Sequence, residues 1–188
     1  LRRLLAGRKV AMIFIDPPWN LPTRYFSGNG QIQHGDFVMC AGELTSSQFE
    51  MFLFNVFQLF PSVCEDGALC YVCMDWRHIP EITAASKRAF HKIVQLCVWV
   101  KDRMGMGSRY RSQHELVFVF QVSKGRARNN VMLGTHGRNR SNVWNYPSIV
   151  SERRGEEGDP LKWHPSVKPI RLVADAILDA AGREDAVM

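Results

Sequence analysis

Val10-Ala11-Met12-Ile13-Phe14-Ile15 runs without a polar residue into Asp16-Pro17-Pro18-Trp19-Asn20. Six apolar residues ended by a turn signal predict a strand buried on both faces, as in a parallel sheet. The residues after Asp16 cannot continue a ladder, because Pro17 and Pro18 have fixed φ and no N–H, and present carbonyl oxygens outward. In open α/β sheets the ligand crevice lies beyond the carboxyl ends of the strands, so a carboxylate and an indole placed there read as a site. Asp16 and a neighbouring carbonyl can each accept one hydrogen of an exocyclic amine, leaving the nitrogen lone pair aimed at an electrophile, while Trp19 offers a flat face for stacking. The alternative reading is an Asp-Pro turn with Trp19 closing the core.

Outward from this stretch, strand and helix patterns alternate. Thr45-Ser46-Ser47-Gln48 has the form of a capping box, and Phe49, Phe52, Leu53, Val56, Phe57 and Phe60 share one helical face until Pro61. A strand over 68–74 leads through Asp75-Trp76-Arg77 into a helix around 79–90, followed by strands near 93–100 and 115–121. This order predicts an α/β protein with a parallel-dominated sheet covered by helices and an antiparallel strand late in it. Near the other end, Ile170, Val173, Ala174, Ile177, Leu178 and Ala181 recur at helical spacing, with Gly182 where a C-terminal cap belongs. His164-Pro165-Ser166-Val167-Lys168-Pro169 precedes that helix. Lys168 with the free N–H groups of a helix start suits an anion such as an amino-acid carboxylate, an ordinary helix-entry turn being the other reading.

Taken together, these segments resemble the permuted amino-methyltransferases, in which D-P-P-W/Y precedes the cofactor-binding motif. Trp99-Val100-Lys101, Gly105-Met106-Gly107-Ser108-Arg109-Tyr110-Arg111-Ser112-Gln113-His114-Glu115, Asn129-Asn130 and Gly137-Arg138-Asn139-Arg140-Ser141-Asn142-Val143-Trp144 extend the likeness to a bacterial and phage subgroup of DNA methylases. The resemblance implies a Rossmann-like sheet and S-adenosylmethionine as methyl donor. It implies DNA as partner, with a role in restriction-modification among the options, and a base flipped out of the stack. Asp16, Pro17, Pro18 and Trp19 would be catalytic, and Asp16, His164, Ser166 and Lys168 would meet the cofactor. Aspartate at the first motif position accompanies adenine N6 methylation in that family, whereas serine is common in cytosine N4 enzymes, so Asp16 favours adenine. Methylation of cytosine N4 or of RNA adenine remains open, as does a DNA-binding remnant that transfers nothing.

The family's glycine-rich cofactor turn should begin just beyond Ala186-Val187-Met188, so residues 1–188 read as a catalytic methyltransferase domain, incomplete at its C-terminus. Phe26-Ser27-Gly28-Asn29-Gly30 matches that turn only superficially, lacking a strand before it and a helix after it, and reads as a loop beside the site.

The segment 122–163 is rich in Arg, Asn and Gly and has little period of either kind, although Val143-Trp144 would anchor it to the body. The resemblance makes it a DNA-facing insertion, with a solvated loop as the alternative. Arg109, Tyr110, Arg111, Asn130, Arg138, Asn139 and Arg140 are the candidate DNA contacts, being side chains shaped for phosphates and base edges. His114-Glu115 reads as structural, because direct methyl transfer needs no such acid-base pair. Asp75 and Arg77 either border the base pocket or pair with each other.

Composition sets bounds. The 188 residues are 46% hydrophobic and 22% charged, enough for one buried core without repeats or low-complexity tracts. The 24 basic against 18 acidic residues give +6, which suits a polyanionic partner without requiring one. Cys40, Cys64, Cys70, Cys73 and Cys97 are an odd set in apolar surroundings, pointing to a reducing, cytoplasmic setting. Cys70 and Cys73 lie on a strand with opposite facing, which argues against a metal pair. No apolar run reaches the roughly 18 residues of a membrane span. A homodimer is compatible with these features.

Overall fold

The apolar run forms β1 (Val10–Ile15), and the computed structural model describes residues 3, 5–25, 35–105, 107–135, 137–148 and 166–188, Arg24 through its backbone alone. The expected strands take their places as β2 (Cys64–Met74), β3 (Lys92–Val100) and β4 (His114–Gln121), with a short β5 (Val143–Asn145). They stand in the order β1-β2-β4-β3-β5. β1 is parallel to β2, β5 is parallel to β3, and β4 runs antiparallel between β2 and β3, so four of the five strands point one way. The antiparallel member arises because β3 turns straight back into β4 without a crossover helix.

Helices cover both faces. α1 (Ser46–Phe57) starts at the expected box, with the Thr45 hydroxyl accepting from the Gln48 N–H and the Gln48 side chain accepting from the Thr45 N–H. α1 ends before Phe60, which enters a separate short turn of 3-10 helix with Pro61. α2 (Ile79–Ala89) joins it on one face, where Phe49, Leu53, Phe57, Ile82 and Ala85 pack on Val10, Cys70, Val72, Phe118 and Phe120. α3 (Ile170–Ala180) covers the other, where Leu172, Ala176 and Ala180 pack on Met12, Leu69, Tyr71, Cys73 and Val119. Strand alternation sorts the residues between the two layers, except at the start of β1, where a register shift puts Val10 and Met12 on opposite faces. Cys70 and Cys73 accordingly fall on opposite faces, and all five cysteines are buried free thiols.

Gly182 does not cap α3 in a left-handed turn. The helix stops at Ala181 in extended conformation, and the Asn130 side chain donates to the carbonyls of Leu178 (2.9 Å) and Ala181 (3.0 Å). A side-chain amide from a distant loop thus satisfies helix-end carbonyls that a glycine turn would otherwise serve.

Residues 186–188 line the free edge of β1. The Ala11 N–H donates to the Ala186 carbonyl (2.9 Å) and the Phe14 N–H to that of Met188 (2.8 Å). Among the described residues no helix is long and apolar enough to cross a membrane, and no cluster of His, Cys, Asp or Glu could hold a metal ion.

Candidate active site

Three strands bring their carboxyl-side or amino-side residues to one end of the sheet, on the face that α3 covers. Met12 and Phe14 point toward α3, so two-residue alternation puts Asp16 on that side; Cys97 and Trp99 do the same for Lys101, and Val119 and Val117 for Glu115. Lys168 arrives from the turn just before α3 and closes the group. Its Nζ lies 2.6 Å from Asp16 Oδ2 and 3.2 Å from Glu115 Oε2, and Lys101 Nζ is 2.5 Å from Glu115 Oε1. Asp16, Lys168, Glu115 and Lys101 therefore form a row of alternating charge that sums to zero. The Lys168 ammonium also sits 4.8 Å from the centre of the Trp19 ring and 3.4 Å from the Ser166 carbonyl oxygen.

Burial decides how strong this row is. The side chains of Lys168 and Glu115 are 8% and 10% exposed, so an unpaired charge at either place would be expensive. Burial works against the Lys168 ammonium, but Asp16 first and Glu115 next outweigh it and hold its proton well above the usual lysine range. Burial likewise pushes the Glu115 carboxyl up, yet Lys168 and then Lys101 prevail and hold it below its ordinary value. Both groups are ionised at neutral pH. Lys168 is consequently no general base, since its proton is held too tightly to leave room for another. The Cys73 thiol beneath is pushed well up by burial and is no nucleophile.

The loop beyond Trp19 is fixed by Asn20. This buried residue takes a left-handed φ of 51°, and its side chain accepts from the N–H groups of Gly42 (3.2 Å) and Leu44 (3.1 Å) while donating to the Leu44 carbonyl (2.8 Å). Gly42 has φ +104°, and a Cβ there would lie 2.7 Å from Pro22 Cδ, so the tight approach requires glycine. Trp19 is half-buried and packs against both core layers. Pro17 and Pro18 are half-buried beside it.

The sequence suggests a cofactor carboxylate as the partner of Lys168, whereas the fold engages its ammonium with Asp16 and Glu115. Ser166 is half-buried at the same corner. His164 and the Phe26–Gly30 loop lie outside the described residues, as does the later part of 122–163. Glu115, read from sequence as structural, and Lys101 belong to the charge row. Asp75 and Arg77 pair with each other (2.9 Å), and the Arg77 guanidinium lies over the exposed rings of Trp76 (4.9 Å) and Tyr25 (5.8 Å).

The candidate DNA contacts divide. Arg109, Tyr110 and Arg111 sit exposed on the loop between β3 and β4, at the same end of the sheet as Asp16, with Arg111 Nε donating to the Gly105 carbonyl (2.8 Å). Asn139 is exposed on its loop. Asn130, Arg138 and Arg140 instead serve α3. Arg138 pairs with Asp175 (3.2 Å) and Asp179 (2.9 Å), and Arg140 pairs with Asp179 (2.9 Å) and donates to the Tyr146 hydroxyl (2.9 Å), which donates to Asp175 (2.7 Å). Trp144, in β5, lies under the Arg140 guanidinium and anchors the segment as its sequence suggests.

The shared aspartate sets an expected stability effect. Asp179 is 8% exposed and holds both arginines, so Asp179→Ala leaves two cations without their common partner. Stability should fall by about 3 kcal/mol, read by thermal melting as a Tm lower by about 6–12 °C. An unchanged Tm would show that the pairs are dispensable.

Comparison with known proteins adds three findings. A family model described as DNA methylase, of the N6/N4 methyltransferase type, matches residues 10–188. The crystal structure of an M1.HpyAVI–SAM complex is similar with a TM-score of 0.59 at 14% identity, over 98% of this chain and 72% of that one. PvuII DNA methyltransferase, cytosine-N4-specific, gives a TM-score of 0.68 at 12% identity, over 98% of this chain and 69% of that one. At such identities the likeness is one of fold, a Rossmann-like methyltransferase sheet. No curated protein sequence matches the chain.

Proposed function

The chain belongs to the N6/N4 DNA methylase family, and from that premise we propose that it moves a methyl group from S-adenosylmethionine to the N6 amine of an adenine extruded from DNA. The observation that carries this reading is the Asp16 carboxylate, set at the carboxyl end of β1 and held through one oxygen by a buried ammonium. An aniline-like amine is a poor nucleophile because its lone pair is delocalised into the ring. A carboxylate and the Pro17 carbonyl, each taking one of its hydrogens, orient the lone pair outward and stabilise the positive charge that develops on nitrogen as the N–C bond forms. The nitrogen then sheds one proton, for which Asp16 is the nearest acceptor the proposal provides. No covalent intermediate with the protein is required.

The donor set at this corner fits such a methyl donor: an anionic oxygen and the indole of Trp19 suit a sulfonium cation as well as an amine. When bound, S-adenosylmethionine supplies an electrophilic methyl carbon. Asp16 and Ser166 at the corner, Lys168 acting through Asp16, and His164 are the residues proposed to meet it. Pro18 fixes the backbone between the two acceptors and Trp19. On the DNA side, Arg109, Tyr110 and Arg111 are proposed to follow the backbone beside the extruded base, with Asn139 as a further contact.

Asp16 at the first motif position supports adenine, while the fold likeness to a cytosine-N4-specific enzyme keeps cytosine as the second reading. Unmodified DNA incubated with labelled S-adenosylmethionine and digested to nucleosides separates them. The expected product is N6-methyladenine; N4-methylcytosine alone would overturn the adenine assignment, and no label in any nucleoside would overturn the transferase reading.

A further inference from the structure

We propose that Glu115, backed by Lys101, is a positioning residue that acts on Asp16 through Lys168. The inference rests on the reading that Asp16 receives the substrate amine, and it concerns how that carboxylate is kept in place. A carboxylate at a strand end can rotate about its last side-chain bond and exchange its oxygens. Here one oxygen is taken by Lys168 at 2.6 Å, so the rotation is blocked for as long as the ammonium stays put. A lysine has a long flexible stem, and its position needs a second anchor.

Glu115 supplies that anchor from a different strand. Asp16 lies just past β1 and Glu115 lies in β4, with β2 between them, so the ammonium is triangulated across the sheet and not merely tethered to one loop. The distances show how the partners share it. Lys101–Glu115 and Lys168–Asp16 are the short contacts, at 2.5 and 2.6 Å, and Lys168–Glu115 is the long one at 3.2 Å. Lys101 neutralises Glu115 enough that Glu115 steadies Lys168 without drawing it off Asp16. Lys101 is itself fixed: its backbone carbonyl accepts from the Gln113 side chain (2.8 Å), and its ammonium lies 4.8 Å from the centre of the Trp99 ring. A buried glutamate in a strand whose next inward positions are Val117 and Val119 has no packing reason to be there. Its charge is what the position uses.

The test is Glu115→Gln, which keeps the shape and removes the charge. Under saturating DNA and S-adenosylmethionine, kcat should fall by about 10- to 100-fold, the range for outer partners that orient a working group. KM for DNA and Kd for S-adenosylmethionine should stay within about twofold, because neither ligand touches Glu115. A fall in Tm is expected on either reading, because the row loses a buried charge; a merely structural role would also move both binding constants. A second readout needs no turnover: acylation of Lys168 by an N-hydroxysuccinimide ester, followed by peptide mass spectrometry. Loss of one carboxylate should raise the reactive, unprotonated fraction of Lys168, read as faster labelling than in the wild type. Unchanged Lys168 labelling overturns the proposal whatever the activity, and unchanged kcat with active wild-type protein overturns it too. A wild-type chain without transferase activity would instead overturn the proposed function, and the labelling would still decide whether Glu115 holds Lys168.

Discussion

Asp16→Ala should lower methyl transfer by on the order of 10³-fold, the loss expected when a preorganised group stabilising transition-state charge is removed. The fold should survive, because β1 keeps its ladder to β2 and Lys168 keeps Glu115 at 3.2 Å. Label transfer to unmodified DNA measures the first effect, and circular dichroism with thermal melting the second. Transfer near the wild-type rate would mean that another group holds the amine. Loss of the folded signal would mean that Asp16 serves architecture first.

Lys168→Met should damage both stability and activity. The substitution leaves the stem but removes the ammonium that two carboxylates share, and Glu115 is only 10% exposed, so the cost should be about 3–5 kcal/mol at neutral pH. The pH dependence has a definite sign. Glu115 is held below its ordinary value of 4.5, so its contribution is present above that value and lost as pH falls through the folded one. Lys168 is held above its ordinary 10.5, so its contribution is complete below that value and lost only as pH rises through the folded one. Between these limits the wild-type row is fully stabilising. The deficit of Lys168→Met should therefore be largest near neutrality and shrink progressively below pH 4.5, as Glu115 takes up a proton and no longer needs a cation. Denaturant melts at pH 7 and pH 4 measure it; an equal deficit at both would show that packing of the stem, not charge, is what the position supplies.

Much of this architecture is legible in local pattern. The apolar run ending at Asp16, the Thr45–Gln48 box and the alternating strands at 92–100 and 114–121 all specify structure within a few residues, and each forms where its spacing places it. The charge row is harder to see because its members are 152 residues apart at the extremes, and only sheet order joins them. A usable signal is nonetheless present. His114 and Glu115 are opposite-facing neighbours, and extending that alternation along the strand sets Glu115 with Val117 and Val119 on the α3 face, together with Asp16 and Lys101.

Asn130, Arg138 and Arg140 carry the opposite lesson. Their residue types suit DNA and a helix equally well, and nothing local distinguishes the two uses. In the structure Asp175 and Asp179, four residues apart on one face of α3, offer two carboxylates to a loop that passes over them. Gly182 is likewise displaced as a cap by an amide from about 50 residues away. Pairings made across the fold override signals that are only local.

The most direct test of the central claim is a crystal structure of the protein with a substrate duplex and an unreactive analogue of S-adenosylmethionine. One adenine should be turned out of the helix, with its N6 amine about 3 Å from an Asp16 oxygen and from the Pro17 carbonyl, and Lys168 still on the other Asp16 oxygen. A base seated elsewhere, or an Asp16 turned from it toward Lys168 with both oxygens, would contradict the claim.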